Sequence, residues 1–396
     1  MNSIDPVTAK AASQATDGLI YLDYQATTPT DPRVVEAMMP FFTERFGNPA
    51  SIQHATGQDA EQVVETARGE IAELIGAEPR EVIFTSGATE SNNLAIKGAA
   101  RFHRANRPHI VTLTTEHKCV LESARRAERE GSELTILPVQ PDGLVDLALL
   151  EETITERTAV VSIMAVNNEI GVIQPIEEIG SLCRAKGAYF HCDAAQAVGK
   201  VPLDVGEASI DLLSISGHKL YGPKGIGALY VRRRPRVRLQ AMMDGGGQER
   251  GLRSGTLATP LCVGIGAACR IAKAEMAEEA ARLERLRDRL LATLTARLED
   301  VCVNGAMERR LPGNLNLSIE GIDAEALLAS LPGLALSTGS ACTSASVEPS
   351  YVLKALGLSN EAAGASLRIG LGRFTTEAEV DRAAEMLIAQ VSRLRS

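Results

Sequence analysis

Residues 158–166, TAVVSIMAV, form a near-continuous apolar run, the pattern of a strand covered on both faces rather than wet on one. A sheet of such strands needs helices above and below it, and the flanking sequence supplies them. Strand-like runs at 81–85, 109–114, 133–139, 188–193 and 211–215 alternate with helix-like segments at 59–75, 88–100, 120–130 and 176–186. In the first of these helices Val63, Ala67, Ile71, Leu74 and Ile75 recur at helical spacing, and Gly76 stops it. The alternation predicts an α/β domain around a largely parallel sheet. A strand-like lead at 20–27 and a turn at 29–32 come before it.

The pattern changes near residue 260. Residues 270–299 contain no Gly or Pro and carry a stripe of Leu283, Leu286, Leu290, Leu294 and Leu298, which predicts one long helix. Strands at 314–319 and 366–370 and a final helix from about 376 follow it. A chain of 396 residues suits one large domain plus a smaller one. We expect a large α/β domain over 30–270, a small α+β domain made of 19–29 with 271–396, and a cleft between them. Residues 1–18 are polar and lack arginine, so they read as a flexible lead-in rather than a signal or transit peptide. No apolar run approaches the roughly 20 residues of a membrane span, and the cytoplasm of a bacterium is the default address.

The net charge of −9 disfavours nucleic acid as a partner. One local exception is VRRRPRVR at 231–238, with five arginines in seven positions; it reads as a solvated edge or as a dock for an acidic protein. Seven cysteines without a CxxC pair argue against a disulfide framework or a zinc ribbon, and no metal site is expected. Six of the seven, Cys183, Cys192 and Cys269 among them, read as small core residues. Cys342 differs, because its run STGSACTSAS (337–346) is too small and polar to build core. On such a loop a thiol can be partly ionised and can reach outward.

Ligands of open α/β sheets bind outside the carboxyl ends of strands, and several polar residues fall there. Lys219 follows the 211–215 strand, between a hydroxyl, an imidazole and the turn GPKG. A partly desolvated lysine loses basicity and becomes an amine able to form a Schiff base; a structural lysine ahead of a turn is the alternative. Asp193 closes an apolar strand and must be solvated or find a cationic partner. Ser86, Gly87, Ala88 and Thr89 open a helix whose N–H groups suit a phosphate, although such a turn also serves as a plain cap. Ser216 and His218 could bind the same anion. Together these are the requirements of pyridoxal 5′-phosphate.

The ordered motifs YLDYQATTP (21–29), FGNPASIQHATG (46–57), FTSGATESNN (84–93), TEHKCV (115–120), VNNEIG (166–171), HCDAAQAVGK (191–200), SGHKLYGPKGIG (216–227), GGGQERGLRSGT (245–256) and STGSACTSAS carry a resemblance. From about residue 20 to 394 the chain resembles the cysteine desulfurases of the class V aminotransferase superfamily, in the branch that serves iron–sulfur cluster or nitrogenase assembly. Gln248, where many housekeeping relatives have histidine, leaves the choice between those pathways open. The resemblance implies the fold type I architecture of pyridoxal-phosphate-dependent transferases, similar to aspartate aminotransferase, and a homodimer.

It also implies roles. Lys219 would hold the cofactor and shuttle the substrate α-proton. Asp193 would pair with the pyridine nitrogen, His117 would stack on the ring, and Gln196 would donate to the phenolic oxygen. Ala88, Thr89, Ser216 and His218 would bind the phosphate, joined by Thr256 of a second subunit. Asn168 and Arg368 would receive L-cysteine, since a guanidinium grips a carboxylate through two parallel hydrogen bonds. Cys342 would take the sulfur as a persulfide, leaving L-alanine, and pass it to sulfur-accepting proteins such as an iron–sulfur scaffold. A selenocysteine lyase, a small-amino-acid aminotransferase and a sulfur-holding platform are the competing readings. The Cys342 thiol speaks against a transaminase, and the complete set of cofactor residues speaks against a platform.

Overall fold

A computed structural model describes residues 18–338 and 349–396. Seven strands form the main sheet: β2 (Val82–Thr85), β3 (His109–Leu113), β4 (Glu133–Leu137), β5 (Thr158–Ser162), β6 (Tyr189–Asp193), β7 (Leu212–Ser216) and β8 (Gly227–Val231). Their order is β2-β8-β7-β6-β5-β3-β4. All neighbours run parallel except β8, which is antiparallel to β2 and to β7. Because β8 reverses between them, β2 and β7 point the same way, and the carboxyl ends of β2, β7 and β6 open on one side. β5 and β7 are buried along their full length, as strands covered on both faces must be.

Two large apolar cores follow from this layout. The first packs Phe84, Val111, Val161, Phe190 and Ile215 of the sheet against Val64, Ile71 and Ile75 of the helix Ala55–Ile75 and against Cys262, Ile265 and Cys269. The second gathers Leu286, Leu290 and Leu294 with β10 (Asn314–Ile319), β12 (Ser366–Gly370) and the helix Glu377–Leu394. Ile20 and Leu22 belong to this second core although they lie near the start of the sequence. The cause is pairing: β1 (Ile20–Tyr21) runs parallel to β11 (Leu334–Ala335). β9 (Val301–Val303) flanks β10 and completes a three-stranded antiparallel sheet.

Several expectations need correction. The apolar run at 158–166 is regular strand only to Ser162; beyond it the Ile163 and Ala165 N–H groups still donate to the His191 and Asp193 carbonyls of β6, and Val166 makes an isolated bridge to Ile173. The lead at 20–27 is a strand for two residues only. The long helix starts at Thr259 and runs to Arg297, 39 residues, through Gly264 and Gly266. Those glycines are there for packing. A Cβ on Gly264 would lie 2.6 Å from the Met38 sulfur, and one on Gly266 would lie 2.7 Å from Ala67 Cα, so only glycine lets this helix press against its neighbours. Of the six cysteines read as core, Cys183, Cys192, Cys262 and Cys269 are buried, whereas Cys302 is exposed and Cys119 is half-buried. Among the described residues no helix is long and apolar enough to cross a membrane.

Candidate active site

A cleft of about 470 Å³ opens at the carboxyl ends of β2, β6 and β7, and Ser86, Ala88, Thr89, His117, Asn168, Asp193, Gln196, Ser216, His218, Lys219 and Arg368 all line it. At one end the chain turns from β2 into the helix Ala88–His103. Gly87 is its N-cap and offers no side chain to the first N–H groups, which leaves the Ala88 and Thr89 end of the helix directed at the cleft with its partial positive charge. The turn is held from below by Glu90, which accepts from the Ser86 N–H at 2.8 Å and pairs with Arg253 at 2.9 Å. Close packing requires glycine opposite. A Cβ on Gly227, the first residue of β8, would stand 2.6 Å from Gly87 Cα.

Lys219 sits on a single 3₁₀ turn, Gly217–Lys219, directly after β7. Its Nζ donates to the Gln25 carbonyl at 2.5 Å and the Ala26 carbonyl at 2.7 Å. The first motif of the sequence therefore wraps the lysine. Thr28 N–H and Oγ1 each donate to the His218 carbonyl at 3.0 Å, Tyr221 N–H donates to Thr28 Oγ1, and Thr27 Oγ1 meets His218 Nδ1 at 3.0 Å. Burial, and next the Lys219 charge, push His218 down to about 4. At neutral pH its ring is uncharged.

Asp193, at the end of β6, is buried and makes no ion pair among the described residues. Asn92 Nδ2 donates to its Oδ2 at 2.6 Å and the Ala195 N–H to its Oδ1 at 3.0 Å. The same Asn92 amide reaches Cys119 Sγ at 3.1 Å, and Cys119 Sγ lies 3.0 Å from His117 Nδ1. A line of polar contacts thus joins the carboxylate to the imidazole. His117 caps the helix Lys118–Arg129, its Nδ1 accepting from the Cys119 N–H at 3.2 Å. An acceptor Nδ1 puts the ring proton on Nε2. Glu116 beneath it is fully buried, accepts from the Met164 N–H at 2.6 Å, and has its pKa driven well up by that burial.

At the opposite wall Arg368 rises from β12. It is 2% exposed. Its Nη2 donates to Asp23 Oδ1 at 2.8 Å and its Nη1 to the Asn168 carbonyl at 3.1 Å, while its buried Nε has no hydrogen-bond partner among the described residues. A guanidinium fixed on two sides with an unused N–H is built to accept an anion. Next to Asn168, burial pushes Glu169 up to about 7, and Glu169 accepts from Ser350 Oγ at 2.5 Å.

The aminotransferase class-V family model matches residues 20–383. The chain belongs to the aminotransferase class-V family. It is 57% identical over 376 residues to a cysteine desulfurase IscS of Rickettsia bellii, covering 95% of this chain and 92% of that protein. It is 58% identical to a cysteine desulfurase of Mus musculus, covering 95% and 82%. Among solved structures it is similar to a NifS-like protein with a TM-score of 0.88 and 36% identity, covering 95% of this chain and all of that one. It is also similar to SspA in complex with cysteine, with a TM-score of 0.80 and 39% identity, covering 90% and 99%.

Members of the class-V family use pyridoxal 5′-phosphate, and the donor set here fits that group. An amine, a carboxylate backed by the Asn92 amide, and an uncapped helix end surround one cleft. Of the residues picked out from the sequence, two are not placed in it. Thr256 is exposed and does not line the cleft of its own chain, and Cys342 lies outside the described residues. Gln25, Ala26, Glu90 and Cys119 are among the cleft residues that escaped the sequence reading. Gln25 and Ala26 act through backbone carbonyls, which leave no trace in side-chain chemistry. Cys119 stood within the TEHKCV motif, two residues from His117, and that spacing was its one available signal.

Proposed function

We propose that this chain is a pyridoxal-phosphate-dependent cysteine desulfurase, converting L-cysteine to L-alanine and passing the sulfur to protein acceptors. The observation that carries the reading is the convergence of Lys219, Asp193 and Arg368 on one cleft beside an uncapped helix end. Pyridoxal phosphate, when bound, supplies an electron sink that makes the substrate Cα–H acidic. Lys219 would hold the cofactor through its amine and carry the α-proton. Asp193, which makes no ion pair among the described residues, would keep the pyridine nitrogen protonated. His117 would stack on the ring, and Gln196 would donate to the phenolic oxygen. Ala88, Thr89, Ser216 and His218 would hold the phosphate. Arg368, helped by Asn168, grips the substrate carboxylate and so turns the thiol of L-cysteine outward.

Cys342 then attacks that thiol. As the new S–S bond forms, the C–S bond breaks and its electron pair stays with carbon. The carbon fragment is protonated to L-alanine, and Cys342 keeps the sulfane sulfur as a persulfide. No outside oxidant is needed. Acceptors such as an iron–sulfur scaffold take the sulfur onward. Arg233, Arg234, Arg236 and Arg238 are exposed and make no ion pair among the described residues, while Arg232 is tied to Asp211; four such cations on a chain of net charge −9 suit an acidic acceptor.

The active unit is a homodimer in the cytoplasm. Val35, Met39, Phe42, Phe46 and Ile52 are exposed within one short stretch, an apolar surface that a partner subunit would cover. Thr256, outside its own cleft, would reach the partner's phosphate. We assign two domains, 30–270 and 19–29 with 271–396, with the cleft at their junction; the separation of the two large apolar cores supports that division.

The test is chemical trapping. Borohydride reduction of the cofactor-loaded protein followed by peptide mapping should place the cofactor on Lys219, and Lys219→Ala should lose it. A label on any other lysine would refute the assignment.

A further inference from the structure

The helix end assigned above to a phosphate also carries a negative charge. Among the described residues that line the cleft, two are carboxylates: Asp193, at the end of β6, and Glu90, in the first turn of the helix Ala88–His103. Glu90 shapes the turn that enters this helix, because its Oε2 accepts from the Ser86 N–H at 2.8 Å. Burial alone would raise its pKa, but the hydrogen bonds from Arg253 and Ser86 more than offset burial and hold the carboxyl below its ordinary value. At neutral pH it is an anion. An anion in the first turn suits the helix dipole, yet it repels any phosphate drawn to the same end of the helix.

Arg253 offsets that repulsion. Its Nε donates to Glu90 Oε1 at 2.9 Å. The two side chains are 21% and 17% exposed, so solvent screens their attraction only in part. The arginine reaches this place because the loop that carries it is tied at several points. Before it, Glu249 accepts from the Phe84 N–H at 2.6 Å and pairs with the buried Arg68. Arg253 itself makes an isolated bridge with Met243, and just beyond it the Gly255 N–H donates to Gln248 Oε1 at 2.9 Å. Phe84 belongs to β2, the strand that leads into Ser86 and the helix. The loop and the phosphate turn therefore share one support.

We propose that Arg253 is a positioning residue for the cofactor phosphate: it pins Glu90 to the Ser86 turn and cancels the Glu90 charge, so that a phosphate can take the helix end without facing an unbalanced carboxylate. This rests on the cofactor phosphate lying at Ala88 and Thr89. Arg253 then governs how strongly the site prefers a phosphorylated ligand, and not how it holds the pyridine ring. The cations of the other walls, Lys219, Lys224 and Arg368, are the same in every variant below and cancel in the comparison.

The experiment compares pyridoxal 5′-phosphate with pyridoxal on the full chain freed of cofactor. Equilibrium dialysis gives a dissociation constant for each, and the pyridoxal-to-pyridoxal-phosphate ratio isolates the phosphate. Arg253→Met should lower that ratio about tenfold or more, the worth of one unbalanced charge at the effective dielectric of a protein site, with the pyridoxal constant unchanged. Adding Glu90→Gln keeps an oxygen for the Ser86 N–H but removes the charge. The double variant should return to within about twofold of the parent's ratio, the ordinary scatter of additive effects. A parent-like ratio in Arg253→Met, or a double variant as poor as Arg253→Met alone, would overturn the proposal. If Arg253→Met does not fold, Glu90→Gln decides alone: its ratio should equal or exceed the parent's, and a lower ratio is the overturning result. A parent that binds both ligands equally would instead refute the phosphate assignment at Ala88 and Thr89, and the inference would fall with it.

Discussion

Glu249 offers the sharpest test of how the loop 245–256 is held. β2 is an edge strand, and its outer backbone groups would be left bare without help. Arg68 and Arg250 donate to the Val82 carbonyl at 2.8 and 3.0 Å, and Glu249 accepts from the Phe84 N–H at 2.6 Å. Glu249 also pairs with Arg68 through two bonds of 2.8 and 2.9 Å, with both side chains under 5% exposed. Glu249→Gln keeps the shape and removes the charge. Among the described residues the Arg68 guanidinium then stays buried with the half-exposed Glu65 as its remaining carboxylate partner. Losing one partner of a buried pair costs about 3–5 kcal/mol, and the retained amide oxygen places this variant near 3 kcal/mol. The chain has no tryptophan, so urea unfolding is best followed by far-UV circular dichroism. The double variant Arg68→Met, Glu249→Leu, which leaves no stranded charge, should lose less than Glu249→Gln alone. A Glu249→Gln loss below about 0.5 kcal/mol, the size of an ordinary surface substitution, would refute the reasoning.

Arg368→Lys keeps a cation but not the fork, and should raise KM for L-cysteine about 10- to 100-fold, the worth of a charge-assisted hydrogen bond, with a smaller change in kcat. An unchanged KM would remove Arg368 from substrate binding. Stability should also fall on acidification through His191, which is buried between the Ser162 and Ser214 hydroxyls at 2.8 and 3.0 Å and pushed by burial from 6.5 to about 3. Below pH 6.5 the unfolded chain binds a proton that the native ring refuses, so stability is lost as pH falls from 6.5 through about 3. At pH 4.5 this amounts to about 2–3 kcal/mol. Denaturation midpoints measured at pH 7 and 4.5 should converge in His191→Gln, and an equally steep fall in that variant would contradict the assignment.

The sheet was legible in the sequence wherever a strand is buried on both faces, because a continuous apolar run has few other uses. β3, β5, β6 and β7 were found within a few residues of their ends, and β10 and β12 at their observed bounds. β8 was missed. GALYV follows a glycine-rich turn too closely to stand apart from it, and its antiparallel direction is a tertiary property. The early start of the long helix was hidden for a related reason: Gly264 and Gly266 are costly for a helix in isolation but are needed where Met38 and Ala67 press against it. The site was legible as side-chain types in ordered motifs. Its supports were not. The Gln25 and Ala26 carbonyls at Lys219, the Asn92 amide behind Asp193 and the two-sided hold on Arg368 arise only when segments a hundred or more residues apart are brought together.

The central claim is desulfuration of L-cysteine through Lys219 and Cys342. The direct measurement gives the purified, cofactor-loaded protein L-cysteine with a thiol reductant and quantifies alanine and sulfide together. The parent should yield the two in equal amounts, and Cys342→Ala should keep the yellow cofactor while losing sulfide release. Consumption of L-cysteine without alanine, or sulfide release by Cys342→Ala at the parent rate, would contradict the account.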